Sequence, residues 1–357
     1  MALTDIDGGR LADNAFSLGK NLIINGAMQV AQRGTSSTST GYLVDRFEIG
    51  FGGGAVTTSQ ESLSSGDPYN EGFRKFLRLT NSTSATAVNS YREITQKIEA
   101  QNLANSGWNY ASSASHITIS FWVRASVAQT YYLKLKTNDG TAQAYASAVS
   151  LSADTWTKIT KTIPGNSNIT INNDNGNGFN VALVPFYGTD FTDSSFTTDA
   201  WAAYGSNQLP DMTNTWSGTT NATFDITGVQ LEVGSVATAF EHRSFDDELV
   251  RCKRYYEKSY PQGTDPGSVF TVAGTDYVSR TNLYRTFEPF AVEKRATPTV
   301  KFYSPDTGTL DKIRNASADA DVTAVTDSHS PVGVRIGSNS GGDGDLLRWH
   351  WTAEAEL

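Results

Sequence analysis

The chain has 357 residues and a net charge of −9, from 37 acidic and 28 basic side chains. No basic block interleaves with aromatics, which excludes DNA binding through phosphate contacts, and no apolar run is long enough for membrane insertion. With 31 glycines, 11% aromatic residues and only 18% charged ones, it suits short strands joined by many turns and is too aromatic for a disordered chain. The single cysteine, Cys252, rules out an internal disulfide framework and a multi-cysteine zinc site.

Residues 1–20 are small and polar, with Gly8, Gly9 and Gly19 and no clear period. They lack the basic start and apolar centre of a secretory signal. They are read as a disordered arm or a docking segment ordered only by a partner. Strands begin at Asn21, where Leu22–Ile24 run into Asn25-Gly26, a dipeptide that supplies positive φ. Met28 and Val30 resume the alternation. Tyr42–Phe51, stopped by Gly52–Gly54, and Phe76–Leu79 follow as strands. In residues 91–104, Ile94, Ile98 and Leu103 have helical spacing, while Tyr91, Glu93 and Thr95 permit a strand. A strand leading into one helical turn is the preferred reading.

The clearest strand is His116–Ala125. Ile117, Ile119, Phe121 and Val123 share a core face, and Trp122 on the other face points to a second layer or a partner. Tyr131, Leu133 and Leu135 are expected to pair with it across a turn at Ala128–Thr130. Asn138-Asp139-Gly140 signals a hairpin, and Trp156–Ile163 another strand in which Trp156 is ordinary packing. Pro185 marks the strand of Val181 and Leu183 as an edge or a strand end. Residues 188–221 form a long Asp/Ser/Thr-rich excursion with Trp201, Tyr204 and Trp216. Turn signals at intervals of about 8–12 residues predict a sandwich or jelly roll, and the lack of a repeat of about 20–50 residues argues against a β-helix.

Phe224–Val233 alternates as a strand with a bulge at Gly228. The period then changes: Phe245, Leu249, Cys252 and Tyr256 line one helix face, with Ser244 as N-cap. Cys252 is read as a small core residue. The helix is placed at residues 244–260, after a jelly roll at 21–243 and before a smaller β-domain at 261–357. In that last domain Phe270–Ala273, Tyr277–Phe287, Thr299–Tyr303, Val332–Ile336 and Leu346–Ala355 read as strands. The terminal one, with Leu347, Trp349 and Trp351, is expected in a sheet or a subunit interface.

No G-x-S-x-G, H-E-x-x-H or P-loop occurs, and His116, His242, His329 and His350 have no ligand spacing. No acid pair for glycoside hydrolysis can be nominated. In Asn172–Gly178, setting Gly178 at the sixth position of a calcium loop puts Asn173 first and Val184 twelfth, so both carboxylates are missing and a polar turn is read. The sequons at Asn81, Asn168, Asn221 and Asn315 are chance matches in a chain without a secretory signal.

The run ITGVQLEVGSVATAFEHRSFDDELVRCKRYYEKSY, with NLIINGAMQVAQRG and YLVDRF upstream, resembles a recurring module of bacteriophage tail-fibre and minor virion proteins, itself similar to carbohydrate-binding jelly rolls. The likeness covers about residues 21–260, and RATPTV and WHWTAEAEL resemble the C-termini of the same proteins. It implies an all-β structural virion protein without enzymatic activity: a tail-fibre-type appendage, made in the host cytoplasm and docked to other virion proteins through its arm. It implies a homotrimer, with Phe245, Leu249, Tyr256, Trp349 and Trp351 as interface residues. Host glycan would stack on Trp201, Tyr204, Trp216, Trp108 or Tyr187, with Tyr110 beside Trp108; the alternative for each is packing. No cofactor is implied beyond a structural calcium, for which Asp225 and Glu232 are the candidates. Competing readings are a capsid decoration or head-fibre protein, a glycan depolymerase, and a plain carbohydrate-binding module.

Overall fold

A computed structural model describes residues 19–205, 209–271, 286–338 and 344–357, together with the backbone of 275–278. The expected arm, all but its last two residues, and the expected strands over 272–274 and 279–285 lie outside them. The strands are β1 Ser36–Ser37, β2 Gly41–Tyr42, β3 Glu48–Gly52, β4 Val56–Ser62, β5 Lys75–Asn81, β6 Tyr91–Glu99, β7 His116–Ala125, β8 Gln129–Thr137, β9 Gln143–Leu151, β10 Thr157–Pro164, β11 Asn177–Tyr187, β12 Trp201–Ala203 and β13 Ala222–Val233. Then come β14 Tyr256–Lys258, β15 Thr275–Val278, β16 Thr286–Pro289, β17 Thr299–Tyr303, β18 Lys312–Asn315, β19 Ala320–Thr323, β20 Val325–Ser330, β21 Gly333–Gly337 and β22 Leu346–Glu354. Among the described residues the α-helices α1 Asp67–Asn70, α2 Ala100–Ala104, α3 Thr215–Gly218 and α4 Phe245–Lys253 are short. No described helix is long and apolar enough to cross a membrane. The protein is all-β.

Contacts divide it into two compact units. Of the described residues, the first comprises those up to Ala27, Gly50–Thr57 and Glu61–Arg243; the second comprises Met28–Ile49, Thr58–Gln60 and Ser244–Leu357. The first unit is a sandwich of β4-β5-β13-β7-β10 against β12-β9-β8-β11-β6-β3. Ile117, Ile119, Phe121 and Val123 of β7 and Leu133 and Leu135 of β8 are fully buried. At about 25 cal/mol per Å² of apolar surface, such burial is the main stabilising contribution. The expected pairing of β8 with β7 is not found. β7 lies between β13 and β10, while β8 pairs with β9 and β11 in the other sheet. Both strands have an apolar inner row, so Ala125–Gln129 carries the chain across the core. Tyr131 on β8 thus meets Phe224 on β13 with ring centroids 5.1 Å apart.

The second face of β7 is covered within the unit. Trp122 clusters with Ala27, Leu63, Phe73 and Phe76, with Trp156 against them, and its indole N–H donates to Glu71 at 3.0 Å. The bulge expected at Gly228 is present: the register with β7 shifts between Thr227 and Gln230, Gly228 has φ +64, and a Cβ there would stand 2.7 Å from the Phe73 ring. Pro185 falls where the pairing of β11 with β8 ends, at Val184, as expected of a strand end. β11 itself is interior, and the register shift against β6 between Leu183 and Phe186 is the bulge that accommodates a residue lacking an N–H. The strand followed by a helical turn predicted over 91–104 is β6 and α2.

In the second unit β22 is central and pairs with β14, β15, β17 and β18. Trp349 and Trp351 are 1% and 4% exposed, packed with Phe302, Ile313, Leu347 and Ile336; they are core and not an interface. Helix α4 has its Ser244 cap, the hydroxyl accepting from Asp247 N at 3.1 Å. It is shorter than the 244–260 expected, since Tyr255 N turns back to Cys252 O and Tyr256 enters β14 opposite Glu354. Tyr256 is therefore buried, under the Arg33 guanidinium at 3.7 Å from its ring centroid, and is also withdrawn as an interface residue. Cys252 is buried, and burial pushes its thiol well up, as suits a core residue. Glu248 joins it inside, Leu249 is half-buried, and Phe245 and Val250 are exposed.

Met28–Ile49 was expected inside the jelly roll, yet it packs with residues 244–357. Gln32 Nε2 donates to Asp45 Oδ2 (2.5 Å) and to the Tyr256 carbonyl (2.8 Å). Arg33 Nη2 lies 3.1 Å from Glu356 Oε1, and the fully buried Arg46 pairs with the same carboxylate. Buried charges are tolerated only when paired in this way.

Candidate functional site

Strand alternation decides what the outer face of the second sheet presents. On β8, Tyr131, Leu133 and Leu135 turn inward, so Tyr132, Lys134 and Lys136 turn out. Opposite them stand Val184, Ala182 and Asn180 on β11 and Ala148, Ala146 and Ala144 on β9. The small side chains leave room above the sheet, and the excursion between β11 and β13 fills it. Leu209 packs on Ala146, Ala182, Val184 and Tyr187, with Phe191, Phe196 and Met212 against them. Backbone contacts pin it: Gly188 N donates to Ser90 O, Asp193 N to Leu209 O (both 2.8 Å), and Tyr187 N reaches Met212 Sδ at 3.3 Å. Only glycine fits at 188, because a Cβ would stand 2.3 Å from the Val88 carbonyl oxygen.

At its return towards β13 the excursion leaves a cavity of about 290 Å³. Gln129, Thr130 and Tyr132 of β8 line one side; Asp211, Met212, Thr213 and Thr215 line the other. Thr192 Oγ1 donates to Asp211 Oδ1 at 2.6 Å and holds that carboxylate in place. Gln129 Oε1 accepts from Trp216 N at 2.9 Å, which fixes the amide's orientation. Its Nε2 is buried and has no hydrogen-bond partner among the described residues. Burial pushes the Tyr132 hydroxyl up, so it stays neutral and able to donate. The cavity thus combines an amide donor, a carboxylate, hydroxyls and an aromatic ring.

Further along the same face the cations are engaged. Lys134 Nζ donates to the Tyr187 hydroxyl (2.5 Å) and lies 3.2 Å from Glu93 Oε2, to which that hydroxyl donates at 2.5 Å. Burial, and then the neighbouring Glu93, push the Tyr187 hydroxyl well up. Lys136 Nζ sits 4.0 Å from the Tyr204 ring centroid, and burial and Lys134 lower its pKa.

No chain family model matches the sequence, and no curated protein matches it. Among solved structures it is similar to the family 11 carbohydrate-binding module of a Clostridium thermocellum cellulosomal cellulase, with 11% identity over 59% of this chain and 99% of that one and a TM-score of 0.28. It is also similar to a module solved with β-1,4-galactotriose, with 8% identity, coverages of 60% and 99%, and a TM-score of 0.27. A third is the two-module Clostridium thermocellum xylanase 10B with xylohexaose, with 10% identity, coverages of 60% and 30%, and a TM-score of 0.28. At this level of superposition the likeness carries no functional argument.

The aromatic residues nominated from the sequence are not gathered into one platform. Trp216 is fully buried, its indole N–H donating to Thr223 O at 2.9 Å. Trp108 is 3% exposed and packs on Phe179 and Tyr110, and Tyr187 is 6% exposed. None of these three offers a ring face to a sugar, which corrects the stacking role expected of them. Trp201 is half-buried against Tyr145 and donates to Pro164 O at 2.7 Å. Tyr204, 37% exposed, is the most open of the five. The calcium candidates are corrected as well. Asp225 is enclosed by Arg78 and Arg124, with contacts of 2.7–3.0 Å; Glu232 accepts from Gln230 and from Thr238 N and Oγ1. No group of three or more potential metal ligands occurs among the described residues. Sequence reasoning missed Gln129, Tyr132 and Asp211. Tyr132 could have been found from alternation with Tyr131 and Leu133; the other two leave no local signal.

Proposed function

We propose that the first unit is a saccharide-binding module whose ligand enters the cavity between β8 and residues 211–215. Gln129 carries the reading. A buried amide N–H left without an acceptor costs about 1–3 kcal/mol. Gln129 Nε2 is closed to solvent, so a small opening of the lining brings it to a ligand oxygen, which recovers that cost. Asp211 offers an acceptor to ligand hydroxyls, the threonines offer both donor and acceptor, and Tyr132 offers a ring for the C–H face of a sugar. Among the described residues one carboxylate lines the cavity, whereas glycoside hydrolysis ordinarily uses two; this favours binding over depolymerisation. The test is titration of the full chain with a glycan panel. Saturable binding weakened in Asp211→Asn supports the reading; an absence of saccharide binding overturns it.

The likeness of residues 21–34, 42–47 and 226–260 to phage tail-fibre modules supports the finer reading. In it the chain is a non-enzymatic appendage of a virion, attached through residues 1–20, homotrimeric, and directed at a host-surface glycan. With Tyr256, Trp349 and Trp351 buried, Phe245 and Leu249 remain as residues for self-association. Imaging virions labelled at Leu357 separates this from a capsid decoration role: label at tail tips supports the appendage, and label over the capsid overturns it.

A further inference from the structure

We infer that the cavity takes the terminal residue of an uncharged glycan end-on, an inference that rests on the saccharide reading above. Size is the first argument. A volume of about 290 Å³ is at the bottom of the ~300–1,000 Å³ range of small-molecule sites, enough for a single sugar ring and not for a run of them. The second argument is the absence of a track leading through it. An internal segment of polysaccharide would have to lie along the outer face of β11 and β9, where Leu209, Phe191, Phe196 and Met212 cover Ala182, Val184 and Ala146. Thr192 and Leu209 bridge within this cover, and Thr192 also holds Asp211, so cover and cavity wall are one piece. The third argument is charge. Among the described residues Asp211 is the one formal charge in the lining, and no lysine or arginine joins it. The nearest cations along β8 are occupied, Lys134 by Glu93 and Tyr187 and Lys136 by the Tyr204 ring. An acidic sugar would meet a like charge with nothing to offset it, whereas a neutral one presents hydroxyl donors to Asp211 and an oxygen acceptor to Gln129.

The experiment uses the full chain on three sets of probes: linear gluco-, galacto-, manno- and xylo-oligosaccharides, the same oligosaccharides ending in a uronic acid, and cyclodextrins, which have internal linkages and no chain end. Expected is binding to one or more neutral linear probes that follows the terminal residue, falls at least about 10-fold on acid capping, and is missing for the cyclic probes. Asp211→Asn and Gln129→Leu should each weaken it about 10-fold, the scale of one lost hydrogen bond to a charged or buried group. Asp211→Asn is nearly isosteric on an exposed segment, so it remains informative if Gln129→Leu disturbs Trp216. Equal binding of cyclic or acid-capped probes overturns end-on capture of a neutral residue and leaves saccharide binding standing. Binding unaffected by either substitution places the sugar elsewhere and overturns it too. No binding to any probe overturns both.

Discussion

Asp225 shows how firmly single side chains are committed in the first unit. Its carboxylate is fully buried while Arg78 and Arg124, which grip it, stay 29% and 28% exposed. Asp225→Asn leaves both guanidinium groups partly solvated, so the loss should be about 2 kcal/mol, below the ~3–5 kcal/mol of a fully enclosed pair. Urea unfolding checks the size, and adding calcium to the wild-type chain should leave its melting temperature unchanged. Gln129 is the opposite case, a side chain with one end satisfied and one end waiting. Gln129→Leu should cost about 1–3 kcal/mol, because it removes the acceptor of the buried Trp216 N–H, and it should also weaken the ligand. A loss of stability with ligand affinity unchanged would contradict the second effect. Composition could not separate these two residues. Alternation puts Asp225 on the polar face between Phe224 and Ile226, so its burial was not legible; it is enclosed by partners from two other strands, and nothing local to Gln129 signals a cavity.

At the scale of elements, β22 and α4 differ in how much of each is inside. Trp349→Ala should cost about 3–5 kcal/mol, measured by denaturant unfolding, since the ring fills the core of the second unit. Phe245→Ser and Val250→Ser should stay within about 0.5 kcal/mol. If the chain trimerises through this helix face, those two substitutions lower the sedimenting mass; an unchanged mass removes the helix as the contact. β22 also carries His350, which is buried, stacked on Tyr260 at 3.9 Å, and hydrogen-bonded to Ser259 Oγ and the Phe270 carbonyl. Burial lowers its pKa below the ordinary value near 6.5, although the bond to Phe270 opposes this. Below about pH 6.5 the unfolded chain therefore binds the proton more readily than the folded one. Stability is complete above that pH and is lost as pH falls through the lowered pKa. His350→Gln should flatten the fall in urea midpoint between about pH 7 and 5.5; an identical slope would remove His350 as its source. Periodicity located β22 and the Ser244 cap because these depend on neighbours in sequence. It overextended the helix because Tyr256 fits the helical face equally well, and pairing with Glu354 takes it instead.

For the whole molecule, the sandwich was legible from alternation, and the helix start at Ser244 from the change of period. The membership of Met28–Ile49 was not, because its contacts are made by residues some three hundred positions away. Arg46 and Glu356 are 310 positions apart. That separation has a consequence in time. At a synthesis rate of about 5–20 residues per second, Arg46 leaves the ribosome roughly 15–60 s before its counter-ion is made. The whole first unit is completed in that interval, while Gln32, Asp45 and Arg46 have no permanent surroundings. Refolding from denaturant should keep the same order even with every residue present, since distant loop closure is slow. Tryptophan signals from residues 108, 122, 156, 201 and 216 should recover before those from residues 349 and 351. A fragment ending at Arg243 would carry Met28–Ile49 with its charges uncovered, and should be less soluble than the full chain despite containing the entire sandwich.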